Sequence, residues 1–104
     1  MKIEMTEDQR QALLIDLLRQ HILGEISQGE LLKYLRKNIL GVSQTRYAEF
    51  IGVSRRTLTD IEQNKGSQAQ GIIDKVFKPF GIKSSLAPIQ PHMACYLLVG
   101  KSGQ

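Results

Sequence analysis

Large aromatic residues and cysteine are both scarce in this sequence. Tryptophan is absent and aromatic residues make up only 6% of the chain, so the core must come mainly from Leu and Ile, which suits helix packing. The single cysteine, Cys95, excludes an internal disulfide and predicts a protein of the reducing cytoplasm. Because Cys95 lies in an apolar run, we expect it to be a small buried hydrophobic residue.

Long apolar runs are missing as well. The most apolar stretch, residues 94–99, is far shorter than the roughly 20 residues that cross a membrane. The N-terminal residues lack the apolar stretch of a signal peptide. We therefore expect a cytoplasmic protein with no membrane partner.

Residue patterns typical of catalysis, metal binding and nucleotide binding are absent too. His21 and His92 are far apart in sequence, and neither has a companion at metal-ligand spacing. No combination of Cys, His and an acid indicates nucleophilic catalysis, and no glycine-rich loop indicates a nucleotide site. We expect no enzyme activity, no metal and no cofactor.

The sequence does carry a basic excess. The formal net charge is +4 and the pI is about 9.4, which favours a polyanionic partner. The excess is uneven: residues 1–24 sum to −1, residues 25–42 and 43–66 to +1 each, and residues 67–104 to +3. A basic balance alone does not identify the partner, which only local residue patterns can indicate.

A chain of 104 residues favours one domain, and its pattern predicts an all-α fold with five helices. Thr6 with Gln9 forms a capping-box pattern that opens a helix at 7–23. Ser27 with Glu30 opens a second helix, which Gly41 ends.

Three further helices follow. Ser43 caps a short helix at 44–51, which Gly52 stops. Ser54 caps another at 55–63, ended by Asn64, the non-glycine residue best suited to the left-handed conformation. The fifth helix spans 68–80.

The pattern changes after Gly81. Residues 82–87 alternate in polarity and residues 93–99 are apolar and β-favouring, so we expect a short strand at each place. We divide the chain into an N-terminal helical extension (1–24), a central helical domain (25–83) and a tail (84–104) that serves dimerisation or binds a partner as a strand.

Residues 44–64 carry the functional pattern, a helix-turn-helix. Two short helices can cross steeply only if the residues between them are small or apolar, and Ala48 and Gly52 fit the close approach and the turn. Inward positions are apolar and outward positions are polar. The expected core residues are Tyr47, Ile51, Val53, Leu58 and Ile61, and the outward residues are Arg55, Arg56, Thr59, Asp60 and Gln63.

Further residues between 28 and 83 extend this pattern. They are Leu35 and Arg36, Gly41 to Gln44, Ala48, Ile51 to Ser54, Thr57 and Leu58, Ile61 and Glu62, and Phe80 to Ile82. With them the sequence resembles the lambda-repressor-like family of Cro and xenobiotic-response-element regulators. The resemblance implies a five-helix DNA-binding domain, usually dimeric, whose second motif helix lies in the major groove. Tyr47, where the family usually has Leu, and Asn64, where it commonly has Gly, depart from the family pattern.

The resemblance also implies roles for individual residues. Gln44 is expected to contact a phosphate, Arg55 and Arg56 to face base edges, Asp60 to face the groove one turn later, and Lys65 to touch the phosphate backbone. Arginine pairs well with guanine, which favours a G-containing half-site, and Asp60 suits the cytosine amino group.

The remaining polar residues of the motif complete the expected DNA-binding set. Ser54 and Thr57, with the helix N-terminus, suit a phosphate, and we add Arg46 and Thr59 to the set. Each residue also has a plain structural alternative. The two arginines would form a solvated face, Arg56 and Asp60 an ion pair within the helix, and Gln44 an ordinary start to its helix.

Two functions fit this pattern best. The first is a sequence-specific transcriptional regulator, a repressor, that binds a palindromic operator in double-stranded DNA as a homodimer. The second is the antitoxin of a toxin–antitoxin pair, whose tail binds the toxin protein. A protein-interaction domain without DNA binding is a third hypothesis, against which Arg55 and Arg56 argue.

Overall fold

A computed structural model of the protein describes residues 5–99, so residues 100–104 of the predicted tail lie outside the description. The described part is helical and contains no strand. The elements are α1 (Glu7–Ile22), α2 (Gln28–Tyr34) continued by a π-helical segment (Leu35–Leu40), α3 (Gln44–Ile51), α4 (Arg55–Glu62), α5 (Gln70–Phe77) continued by a 3₁₀ turn (Lys78–Phe80), and α6 (Pro91–Val99).

Side-chain caps fix where the first four helices begin. Thr6 and Ser27 each form a full capping box, with Gln9 and Glu30 respectively. Hydrogen bonds from the backbone and side chain of Ser27 hold the pKa of Glu30 below its ordinary value. Ser43 and Ser54 cap α3 and α4 by accepting the N–H of Arg46 and Thr57, so the predicted starts of α1 to α4 are confirmed.

The end of the second helix is not a regular α-helix. The Gly41 N–H donates to the Arg36 carbonyl, five residues back, at 2.8 Å, which is the π-helical spacing. Gly41 then adopts φ 67°, where glycine carries no Cβ penalty. Arg36, in the first turn of this segment, is buried.

One core joins all the helices from α1 to α5. Helix α2 packs against α4, and α3 packs against α4. Helix α1 packs against α2 and α6 and contributes Leu17 to this core, so the predicted N-terminal extension shares the core of the domain. The buried core residues are Leu17, Leu31, Leu32, Leu35, Ile39, Tyr47, Ala48, Ile51, Leu58, Ile61, Val76 and Phe77.

The C-terminal part of the chain corrects three predictions. Residues 82–88 form neither strand nor helix, and the strand expected at 93–99 is instead helix α6. A short apolar run does not distinguish a strand from a helix by periodicity, and Pro91, whose fixed φ suits the first helical turn, was the missed start signal. Cys95 is exposed rather than buried, because α6 packs on the body through its neighbour Ala94.

No helix within residues 5–99 has the length and apolarity needed to cross a membrane.

Candidate nucleic-acid interface

Helices α3 and α4 form the predicted helix-turn-helix. Gly52 ends α3 with φ 75°, and Ala48 is buried where the two helices meet. Tyr47, Leu58 and Ile61 close the shared core. Ile51 is buried as expected, whereas Val53 is only half-buried.

The start of α4 is exposed and capped. The Ser54 hydroxyl oxygen accepts the Thr57 N–H at 3.0 Å, and the same hydroxyl donates to Thr57 Oγ1 at 2.9 Å. The backbone N–H groups of Arg55 and Arg56 belong to the first helical turn and have no intrahelical partner. They are available to an anion at this end of the helix, where the helix dipole favours negative charge.

The two arginines project from this end of α4, and both are exposed. Arg56 is 88% exposed and its Nε lies 3.7 Å from Asp60 Oδ2, one turn along. The ion pair that the sequence offered as an alternative is thus present. An exposed pair of this kind contributes only about 0.3–0.5 kcal/mol, so a base or a phosphate can replace it at little cost.

Gln44 is held from both sides of its amide. Its Nε2 donates to Glu62 Oε1 at 2.9 Å, and its Oε1 accepts from Thr59 Oγ1 at 3.2 Å. One amide hydrogen remains, at the start of α3. The two bonds join the first residue of α3 to the middle and the end of α4, so they fix the angle between the helices.

Glu62, which accepts from Gln44, also belongs to a buried ion pair with Arg36. The Arg36 guanidinium donates to both Glu62 carboxylate oxygens, at 2.6 and 2.9 Å, and to the Val42 carbonyl at 2.8 Å. Only 7% of the Arg36 side chain and 2% of the Glu62 side chain are exposed. Two-point contact between a planar guanidinium and a carboxylate is geometrically specific, so this pair sets how α2 meets α4.

Asn64 fixes the C-terminal end of α4. Its backbone adopts φ 57°, as expected for a residue that ends a helix in the left-handed conformation. Its side chain accepts from the Gly29 N–H at 2.9 Å and donates to Ser27 Oγ at 2.9 Å. A Cβ at Gly29 would lie 2.5 Å from the carbonyl oxygen of Ile61, so only glycine permits this approach. The departure from the usual glycine at residue 64 therefore has a structural role.

The two remaining cations of the predicted DNA-binding set are both at the surface. Arg46 and Lys65 are exposed, Arg46 in the first turn of α3 and Lys65 just after α4. The backbone N–H of Arg46 donates to the cap residue Ser43, and that of Lys65 donates to the Asp60 carbonyl.

Tyr47, the other departure from the family pattern, joins α3 to α5. Its hydroxyl donates to the Val76 carbonyl at 2.6 Å, and the side chain is buried. Burial, with the negative charge of Glu62, raises the pKa of Tyr47 well above its ordinary value. A Leu here would fill the space without this bond.

The sequence did not reveal the Arg36–Glu62 pair or the contact from Asn64 to α2. The partners are 26 residues apart in the first case and 35 in the second. Arg36 and Glu62 were singled out for their family resemblance, which was the available signal. Within residues 5–99 no three His, Cys, Asp or Glu side chains lie close enough to hold a metal ion.

The sequence model of the helix-turn-helix family matches residues 32–86, just over half of the chain. The protein belongs to this family, the DNA-binding regulators of the lambda-repressor, Cro and xenobiotic-response-element type. No curated protein and no solved structure matches the chain.

Proposed function

We propose that the protein is a transcriptional repressor that binds a palindromic operator as a homodimer and reads it with α4 in the major groove. The observation that carries this proposal is the exposed start of α4, where Arg55 and Arg56 project beside a capped helix N-terminus. A repressor needs only to occupy promoter DNA and exclude the polymerase, so the interface alone is sufficient.

Base reading falls to the side chains that α4 projects. Within residues 5–99, no carboxylate lies within 4.0 Å of the Arg55 guanidinium. This guanidinium can therefore donate two hydrogen bonds to guanine O6 and N7. Arg56 exchanges its exposed pair with Asp60 for a base or a phosphate. Asp60 would be repelled by phosphate, so it either accepts from a cytosine amino group or stays paired with Arg56.

Phosphate contacts position the helix without reading sequence. The backbone N–H groups at the start of α4 and the remaining amide hydrogen of Gln44 suit one phosphate strand. Arg46, in the first turn of α3, and Lys65, just after α4, add two exposed cations. Ser54, Thr57 and Thr59 act by holding the local geometry, since their hydroxyl groups already bond within the motif.

A two-fold symmetric dimer is expected if α4 of each copy lies in the major groove. Two recognition helices about 34 Å apart reach successive major grooves on one face of DNA, so a dimer reads a palindrome. Binding should weaken steeply with salt, because each neutralised phosphate releases counterions.

The test is selection of bound sequences from random duplex DNA by the wild type and by Arg55→Ala/Arg56→Ala, at physiological salt. The proposal predicts an enriched palindrome for the wild type and none for the double variant. A matched control, Arg19→Ala/Lys33→Ala, removes the same charge from exposed positions on α1 and α2 and should select the same palindrome as the wild type. Equal selection by all three proteins would overturn the proposal.

A toxin–antitoxin role is a second candidate, because α6 presents apolar side chains that suit a protein partner. The expectation that the tail binds the toxin as an added strand does not support this role, since the described part of the tail contains no strand. A neighbour-encoded protein that co-purifies with the full chain, and is lost from a chain ending at residue 87, would favour this role. Purification of the wild type alone, from cells that express the neighbouring gene, would exclude it.

A further inference from the structure

Helix α6 is apolar apart from His92 but is hardly buried. It carries no charged residue, and Ala94 is its only buried one. A helix that is hydrophobic all round is normally enclosed by other structure. Leu97 and Leu98 flank Ala94 and line a cavity of about 420 Å³ against the body. Tyr96, about 200° around the helix from Ala94, points outward.

The apolar surface extends back along the chain from α6. Ten large hydrophobic side chains are exposed within residues 5–99, and seven of them fall between Leu86 and Val99. Leu86 is 100% and Ile89 98% exposed. Single exposed hydrophobic residues need no explanation, but a concentration of this kind marks an interaction surface. We call residues 86–99 the apolar patch.

The absence of charged residues from the apolar patch favours a second copy of this chain as its partner. Residues 86–99 contain no Asp, Glu, Lys or Arg, whereas the whole chain carries a net charge of +4. Two copies of a basic protein repel each other, and a two-fold interface brings the same surface of each copy together. A patch without formal charge is the surface on which two copies can meet without that repulsion.

The area of the apolar patch agrees with a dimer. A standard interface buries roughly 800 Å² on each partner. A large apolar side chain presents on the order of 100 Å² when fully exposed. The seven side chains are between 43% and 100% exposed, so they supply roughly half to two thirds of one such face.

We infer that the apolar patch is the dimerisation surface, on which α6 of one copy packs against α6 of a second copy around a two-fold axis. The partner is a second copy of this chain, and Tyr96 lies at the centre of the contact. The inference rests on the proposed function, which requires a dimer, and specifies the face that forms it.

The experiment is sedimentation of the full chain without DNA, over about a hundredfold range of concentration, for the wild type and three variants. We expect the wild type and Tyr96→Phe to sediment at twice the 11.7 kDa of one chain. Tyr96→Glu places two like charges across the axis, so its dimer should be at least about tenfold weaker. Phe50→Glu changes an exposed hydrophobic residue outside the patch and should leave the dimer unchanged.

The results that overturn the inference are specific. A wild type that sediments as a monomer would overturn the inference. In that case a partner protein or a small apolar ligand would cover the apolar patch. Dissociation by Phe50→Glu but not by Tyr96→Glu would place the dimer on another face and would also overturn it.

A second measurement covers the case in which Tyr96→Glu does not fold. Cys95 is the only cysteine and is exposed on α6, so one spin label can be attached to each chain. Paired helices lie about 8–10 Å apart, so strong dipolar coupling between labels is expected. Its absence in a sample that sediments as a dimer would overturn the inference.

These outcomes are separable from those of the DNA selection. A dimer that forms through another face and still selects a palindrome leaves the repressor proposal standing and removes only this inference. A dimer that forms through α6 but selects no DNA sequence supports this inference and overturns the repressor proposal. Added salt also separates the two contacts, because it weakens phosphate binding but not apolar association.

Discussion

The side-chain amide of Gln44 donates to the carboxylate of Glu62 at 2.9 Å, across the turn of the helix-turn-helix. The same carboxylate is held by the buried Arg36 guanidinium. The first residue of α3, at the proposed DNA surface, is therefore connected to the core between α2 and α4. We expect the stability of the domain and the geometry of the interface to depend on the same carboxylate.

Neutralising Glu62 tests this dependence. Glu62→Gln leaves Arg36 as an uncompensated buried charge, which should lower the free energy of unfolding by about 3–5 kcal/mol. The double variant Arg36→Met/Glu62→Leu removes both charges and should lose less than the single variant. Urea unfolding followed by circular dichroism measures both values. A loss below about 1 kcal/mol for Glu62→Gln would show that the pair is not what holds α2 to α4.

Asn64 provides a test of the left-handed helix end. Asn64→Ala removes the two side-chain hydrogen bonds to Gly29 and Ser27. It also replaces Asn with a residue that tolerates the left-handed conformation less well, so it should destabilise by about 2–3 kcal/mol. Asn64→Gly loses the bonds without that strain and should lie between Ala and the wild type in thermal unfolding. Gln63→Ala, at the exposed neighbour, is the control and should change little. Equal stability of the Ala and Gly variants would show that the left-handed backbone at residue 64 does not penalise Ala.

The buried hydroxyl of Tyr47 makes stability depend on alkaline pH. Tyr47→Phe loses the hydrogen bond to Val76 and should cost about 1–2 kcal/mol at neutral pH. The folded pKa of Tyr47 is raised, so its stabilising effect is full below the ordinary pKa of about 10. The effect declines above that pH, as the unfolded chain releases its proton first.

The difference between wild type and Tyr47→Phe should therefore narrow when unfolding is measured at increasing pH above about 10. A difference that stayed constant would mean that the Tyr47 hydroxyl ionises equally in both states.

The sequence predicted the first four helices well because each begins with a local signal. Ser43 and Ser54 cap α3 and α4 at the predicted residues, and glycine or Asn64 ends them nearby. The contacts that orient the interface were not predictable, since Glu62 meets Arg36 and Gln44 only after the chain has folded. Helix α6 was missed because its apolar run has no polar face to reveal a helical period.

Lys65 should behave as a phosphate contact rather than a base contact. Lys65→Ala is expected to weaken binding to selected and unrelated duplexes by the same factor, and to reduce the slope of log affinity against log salt by about 1. Fluorescence anisotropy on both duplexes at several salt concentrations measures this. A loss confined to the selected duplex would instead make Lys65 a base-reading residue.

The central claim is that Arg55 reads base edges from the start of α4. The most direct measurement is the ratio of affinities for the selected palindrome and an unrelated duplex, for wild type and Arg55→Ala, at one fixed salt concentration. We predict that the variant loses roughly 1–3 kcal/mol of binding to the palindrome, with a much smaller loss on the unrelated duplex, so that the ratio falls. An equal loss on both duplexes would contradict the account, because it would make Arg55 a contact to the backbone alone.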